Sequence, residues 1–216
     1  SFIPTQGKSS PTEPIWPQTI ETLLNITSKK GRQESVMAID ALKELFVGYL
    51  LPVDRKLVYG CWNPLYWPRR YFHDRPIKSD KATKPHLVYW YFEDALKQFY
   101  ETYIANINRV MNDSVTHAKR SAQFVCYELL KDRPEGEAKL LTMTINKLGD
   151  IEPKIASKAV YLVSHLLEKH PNMKATVTKE VENFLHAPKT MLRAKYYGII
   201  LLNEIYLSKD NVELSK

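Results

Sequence analysis

Apolar residues recur at every third or fourth position over most of this chain, which is the spacing of an amphipathic helix. Between 33 and 51, Val36, Ile39, Leu42, Leu45, Phe46, Tyr49 and Leu50 predict one helix that Pro52 stops. A shorter helix precedes it, opened by Pro17 and carrying Ile20, Leu23, Leu24 and Ile26. Helical spacing is strong again from Tyr89 to Met111, through Leu96, Phe99, Tyr103, Ile107 and Val110. The next helix runs to Leu130, with Asp113 or Ser114 as its expected cap. Further helices are predicted over 135–148, 152–169, 172–186 and 190–208, with Pro134, Pro171 and Pro188 at the boundaries between them. The pattern predicts an all-α protein.

Two stretches break the periodicity. Residues 1–16 place Pro4, Pro11 and Pro14 among Ser, Thr and Gly and read as a disordered arm or linker. A start of this kind, without Met, is expected of a fragment of a longer protein. Residues 58–86 hold four prolines, six aromatics and six Lys or Arg, with no surviving period. An irregular segment of that length is usually functional.

The helices also repeat. Leu129-Leu-Lys-Asp-Arg-Pro134 and Leu166-Leu-Glu-Lys-His-Pro171 lie 37 residues apart. Ala122, Phe124 and Val125 align in turn with Ala159, Tyr161 and Leu162, and a fainter third copy puts Lys195 opposite Lys158. A helix pair at this period predicts a HEAT/armadillo-like α-solenoid of stacked helix pairs. The expected organisation is an arm at 1–16, a first helix pair at 17–57, an irregular aromatic and basic loop at 58–86, and continuous helical repeats over 87–210.

Composition narrows the chemistry. The 31 Lys and Arg against 24 Asp and Glu give a net charge of +7, which suits nucleic acid or an acidic partner and equally an ordinary soluble domain. Cys61 and Cys126 are far apart, with no CxxC, so neither a zinc site nor a disulfide framework is expected. No histidine pair has HExxH spacing, and no GxGxxG, Walker or GxSxG motif occurs. Glu93 and Asp94 are adjacent and point apart on a helix, so they are read as acids near a helix start. The chain is expected to be no enzyme, to need no cofactor or metal, and to sit in no membrane.

Binding residues fall in two groups. In the irregular loop, Trp62, Trp67 and Tyr71 interleave with Arg69, Arg70, Arg75 and Lys78. Such side chains suit splayed bases and phosphates, anchoring in a partner protein, or packing back over the solenoid. On the repeats, Lys119 and Arg120, then Lys154 and Lys158, then Arg193 and Lys195 recur near the start of each second helix. Aligned copies would make a positive ridge fit for a nucleic-acid backbone.

Several strings, in order, resemble one family. They are Leu50-Leu-Pro-Val-Asp-Arg-Lys-Leu57, Trp90-Tyr-Phe-Glu-Asp-Ala-Leu-Lys97, Asn146-Lys-Leu-Gly-Asp150, Ile155-Ala-Ser-Lys-Ala159, His170-Pro-Asn-Met-Lys174, Glu180-Val-Glu-Asn-Phe-Leu185 and Tyr196-Tyr197. Together they resemble the nucleolar-complex/CCAAT-binding-factor family over about 33–57 and 87–208; the loop at 58–86 matches no pattern of it. The resemblance implies an α-solenoid without enzyme activity, in the nucleolus and nucleus. It further implies a non-enzymatic scaffold in large-subunit (60S) assembly, heterodimerised with another nucleolar-complex protein and bound to pre-60S particles and pre-rRNA. Two alternatives remain: a CCAAT-element DNA-binding transcription factor, and a solenoid that binds only proteins. Against the former, no helix-turn-helix, zinc-finger or basic-zipper signature is present.

Overall fold

The apolar stripes fold into eight α-helices among the described residues, as seen in a computed structural model. The structure describes residues 15–29, 33–57, 84–188 and 190–206, with side chains at 18–29, 33–57, 91–188 and 190–205. In chain order the helices are α1 (Ile15–Thr27), α2 (Gln33–Leu45), α3 (Lys84–Met111), α4 (Thr116–Asp132), α5 (Glu137–Asn146), α6 (Pro153–Lys169), α7 (Lys174–His186) and α8 (Leu192–Tyr206). No strand occurs among the described residues.

The helices pack as two rows. Helices α1, α3, α5 and α7 touch in succession, and so do α2, α4, α6 and α8, while the rows meet through α1–α2, α3–α4, α5–α6 and α7–α8. This paired stacking is compatible with an α-solenoid. Helix α6 shows why the stack is obligatory: Ile155, Ala156, Ala159, Val160, Leu162, Val163, Leu166 and Leu167 are all buried. Buried positions that wide cannot be covered by one neighbour, so α4 and α8 flank α6 on either side.

At the N-terminal end the core is aromatic. Phe46 stacks on Tyr103 at 5.1 Å and meets Tyr100 edge-on at 5.2 Å. The Tyr103 hydroxyl donates to the Ile39 carbonyl at 2.7 Å, so the ring is buried without an orphaned hydroxyl. Asn106 donates to the Leu24 carbonyl and to Thr27 Oγ1, and Ser35 donates to the Thr27 carbonyl, which ties the first helix pair to α3.

Several element ends differ from the sequence reading, each for a local reason. Helix α2 is followed by a π turn at Phe46–Leu50, closed by the Leu51 N–H on the Phe46 carbonyl ahead of Pro52. Helix α3 starts at Lys84, so Pro85 occupies its first turn, where a missing N–H costs nothing. Glu93 and Asp94 are therefore interior and buried rather than near the helix start, and Glu93 takes the Arg55 guanidinium at 2.5 Å. Neither Asp113 nor Ser114 caps α4. Its N-cap is Val115, with no side-chain hydrogen bond, and Asp113 instead accepts from the Ser114 backbone N–H and hydroxyl. Helix α5 ends at Asn146 and tightens into a 3₁₀ turn, Lys147–Gly149.

The chain entering the irregular segment is held firmly. The Leu57 N–H donates to Glu135 at 2.5 Å, the Leu57 carbonyl accepts from Lys97 at 2.9 Å, and Lys97 pairs with Glu135 at 3.5 Å. Glu135 leads into Gly136, which has φ 70° and would bring an added Cβ within 2.6 Å of Ile104 Cδ1. Gly136→Ala should therefore lower the urea midpoint by an amount equivalent to about 1–3 kcal/mol. Gly48→Ala, at a site with open space around the added carbon, should leave the midpoint unchanged or raise it.

Candidate interaction face and edge

The outer side of the even-numbered row carries rings and cations. Phe124 on α4 is 44% exposed and sits 6.1 Å from Tyr127, whose ring lies against His165 of α6 at 6.0 Å. His165 in turn stacks on Tyr161 at 5.9 Å and 14°, and the Lys158 ammonium lies 4.4 Å from the Tyr161 centroid. The imidazole also meets Glu168 at 2.7 Å. On α8, Tyr196 is 62% exposed and meets Tyr197 edge-on at 5.6 Å. The Tyr197 hydroxyl is held below its ordinary pKa chiefly by hydrogen bonding to Ser157; burial opposes this, and the Arg193 hydrogen bond and charge add to the lowering.

Where the even helices begin, one carboxylate organises the surface. Asp150 receives Lys119 of α4 at 3.3 Å, Lys147 of the 3₁₀ turn at 3.4 Å, and the Glu152 N–H at the start of α6 at 3.1 Å. Lys147 also donates to Asn112 at 2.7 Å, and Thr116 donates to Glu152 at 2.8 Å. Burial is the largest single effect on Asp150 and pushes its carboxyl upward. The Glu152 N–H, the Lys119 hydrogen bond and the two ammonium charges outweigh burial, and the pKa ends below the usual carboxylate value. Burial lowers the pKa of Lys147, while Asp150 pulls it back.

The sequence-derived ridge is thereby divided. Arg120, Lys154, Arg193 and Lys195 are exposed at the starts of α4, α6 and α8. Lys158 is half-buried on the Tyr161 ring. Lys119 does not project from the ridge: its ammonium is committed to Asp150 and reaches Glu152 at 4.0 Å. The loop residues Trp62, Trp67, Tyr71, Arg69, Arg70, Arg75 and Lys78 lie outside the described residues.

Sequence reading missed a second set at the same edge. Val115, Ile151, Met191 and Leu192 precede or open α4, α6 and α8, and all are exposed. Their only sequence signal is a large apolar residue at each helix entry, outside the core periodicity. Reactive chemistry finds no support at Cys126, whose buried thiol is pushed up to about 12 and lies 3.7 Å from Met111 Sδ. Among the described residues no cluster of three metal-ligating side chains occurs, and no helix is long and apolar enough to cross a membrane.

Asp150 sets a pH test. A carboxyl with a depressed folded pKa contributes stability that is complete above its unfolded value and is lost as pH falls through the folded one. Asp150→Asn should cost about 3 kcal/mol near neutrality, because it strands two ammonium groups. In urea titrations against pH, the gap between the parent and Asp150→Asn should be constant at neutral pH and close below about pH 4.

No family model matches the chain. Relatives from fungi, animals and a plant align with 87–92% of it at 31–42% identity. The CCAAT/enhancer-binding protein zeta of Homo sapiens is 38% identical over 199 residues, covering 92% of this chain and 18% of its own length. The ribosome biogenesis protein NOC1 of Chaetomium thermophilum is 37% identical over 199 residues, covering 88% of this chain and 19% of its own. Nucleolar complex protein 1 of Drosophila melanogaster is 31% identical over 188 residues, covering 87% and 16%. The chain thus spans about a fifth of the length of the curated relatives it matches. At 31–38% identity over 87–92% of its length to these relatives, the chain belongs to the nucleolar-complex/CCAAT-binding-factor family.

Proposed function

We propose that this chain is a non-enzymatic scaffold segment in nucleolar assembly of the large ribosomal subunit, and that it binds pre-rRNA and partner assembly factors. The observation that carries the reading is the shared identity with relatives named for ribosome biogenesis and the nucleolar complex. It is supported by the kind of surface the fold offers: rings and cations on the outside of a packed row of helices. In this reading the helix pairs are HEAT/armadillo-like repeats and the protein works in the nucleolus and nucleus, paired with another nucleolar-complex protein. The segment 58–83 contributes a further contact for RNA or for the partner.

For RNA the physical basis is electrostatic. Arg120, Lys154 and Lys195 have no carboxylate partner among the described residues, so their charge is available to phosphates. Lys158 exchanges its ring contact for a phosphate at small cost, since an exposed cation–π contact is worth about 0.5–1 kcal/mol. The names of the mammalian relatives suggest CCAAT-element DNA instead. The sequence carries no helix-turn-helix, zinc-finger or basic-zipper signature for reading a major groove.

Charge reversal at Arg120, Lys158 and Lys195 should weaken binding to a pre-rRNA fragment. It should also flatten the slope of log affinity against log salt by about 0.7 for each single-strand phosphate no longer neutralised. Lys119→Glu should unfold the edge rather than act on the slope. Filter binding in a salt series checks this, with a CCAAT duplex and an unrelated duplex alongside. Unchanged affinity would remove the ridge from the mechanism, and preference for the CCAAT duplex at matched salt would replace the scaffold by a DNA-binding factor.

A further inference from the structure

The entry edge of the even-numbered row combines three features: an aliphatic row and a cavity, which the RNA reading does not use, and a set of exposed cations, which it does. The first is a run of aliphatic side chains. Ile151 is 83% exposed and Leu192 is 87% exposed, with Met191 preceding Leu192 in the chain and exposed Val115 in the matching place ahead of α4. Hydrogen bonds join the segments that carry them: Thr116 donates to Glu152, and the Arg193 guanidinium donates to the Ile151 carbonyl at 3.3 Å, which links the entries of α4, α6 and α8 in turn. Single exposed apolar residues are ordinary; a row repeated at consecutive helix entries marks an interaction site.

The second feature is an anchor point at one end of the row. A cavity of about 260 Å³ opens between the starts of α2 and α4 and the end of α3. Val36, Val110, Val115 and Ala118 give it apolar walls, and Gln33, Ser35, Asp113 and His117 give it a polar rim. Val115 belongs both to the cavity and to the row, so the two are continuous. A single large side chain entering the cavity would leave the chain that bears it lying toward Ile151.

The third feature is charge. Of the carboxylates at this edge, Asp150 is turned inward onto Lys119 and Lys147, Glu152 accepts from Thr116 while partly exposed, and Asp113 accepts from Ser114 at the cavity rim. The cations left facing outward are Arg120, Lys154, Arg193 and Lys195. The helix starts add to the positive potential, since neither Val115 nor Glu152 caps its helix with a side chain. An aliphatic row in a positive field is the complement of a segment rich in Asp and Glu with regularly spaced Leu, Ile, Met or Phe. RNA suits it less well, because aliphatic side chains offer no stacking partner for a base.

We propose that the edge formed by Val115, Ile151 and Leu192, with the cavity beside Val36, docks an acidic, apolar-studded segment of a partner protein, held by the exposed cations and anchored by one large side chain. The proposal rests on the scaffold reading and names the chemistry of its protein partner. It shares the exposed cations with the RNA reading and gives the aliphatic row and the cavity, which RNA does not use, to the partner.

The test uses the whole chain and a panel of fluorescein-labelled synthetic peptides that place Leu, Ile or Phe at every second or third position among Glu and Asp. A control panel has the same charge with Ser at the apolar positions, and a mixed-sequence single-stranded RNA is titrated in parallel. The substitutions are Ile151→Ser with Leu192→Ser, both exposed and so neutral to folding, which thermal melting verifies. Anisotropy should show binding of an apolar-studded peptide that the double variant weakens about tenfold or more, equivalent to roughly 1.4 kcal/mol of apolar burial. The serine-substituted panel should bind far more weakly, and RNA affinity should stay within a factor of about two. If RNA binds and no peptide does, or if the double variant leaves peptide affinity intact, the docking edge is refuted while the scaffold reading stands. If the double variant weakens RNA as much as peptide, the edge belongs to RNA and the proposal is again refuted. If neither ligand binds, both readings fall together.

Discussion

The helix-entry surface of this protein depends on a single carboxylate. Asp150 lies where α4, the 3₁₀ turn after α5 and α6 converge, and it joins one partner from each. Lys147 extends the connection to Asn112, at the end of α3. Four elements are thus fixed at one point. A buried charge is tolerated there only because every charge in the cluster has an opposite neighbour. The arrangement sets the register of the even helices at their starts, which the aliphatic core alone would leave free to slide.

Burial and charge divide the labour along the stack. Within the rows, fully covered aliphatic side chains such as Leu129, Val163, Val177 and Leu201 hold helix to helix without directional bonds. Directional contacts appear where the chain changes course: Asn106 at the first pair, Glu135 beneath Leu57, and Asp150 ahead of α6. Each meets a backbone group where the regular helical bonds run out: near the end of α1, at Leu57 between helices, and at the start of α6. The outer surfaces are therefore released from structural duty. Rings such as Phe124, Tyr161 and Tyr196 remain exposed without weakening the core, as an interaction surface requires.

Much of the fold is legible in the sequence because helical periodicity survives wherever one side of a helix is buried. Every predicted helix has a counterpart, and the proline boundaries at Pro134 and Pro171 lie between helices as read. The departures share a cause: a local residue preference is outweighed by a distant partner. Asp113 is a good cap by type, yet its carboxylate turns to Ser114 and α4 starts later. Glu93 and Asp94 suit a helix start by type, but Pro85 allows the helix to begin at Lys84 and carries both acids into the interior. The entry edge is invisible in the sequence for a different reason. Val115, Ile151 and Leu192 lie outside the core periodicity, and the segments that carry them are joined by the packing of α4, α6 and α8 and by the hydrogen bonds of Thr116 and Arg193.

Lys119 and Arg120 condense the relation between pattern and function. They are neighbours in sequence, basic alike, and indistinguishable in a reading by charge. One helical step of about 100° separates their directions, and it points Lys119 at Asp150 while leaving Arg120 in solvent. The same partition recurs along the edge, where Lys147 is drawn inward to Asp150 and Lys154 faces out. Because the inward lysines neutralise the local acids, the outward cations keep a charge that no neighbouring carboxylate cancels. The positive character of the surface is thus a product of the interior: the cluster that fixes the helix starts is what leaves the edge basic. A partner attracted by that field meets the aliphatic row at the position where the stack is most firmly held. Preorganisation of that kind spares binding the cost of ordering its own site.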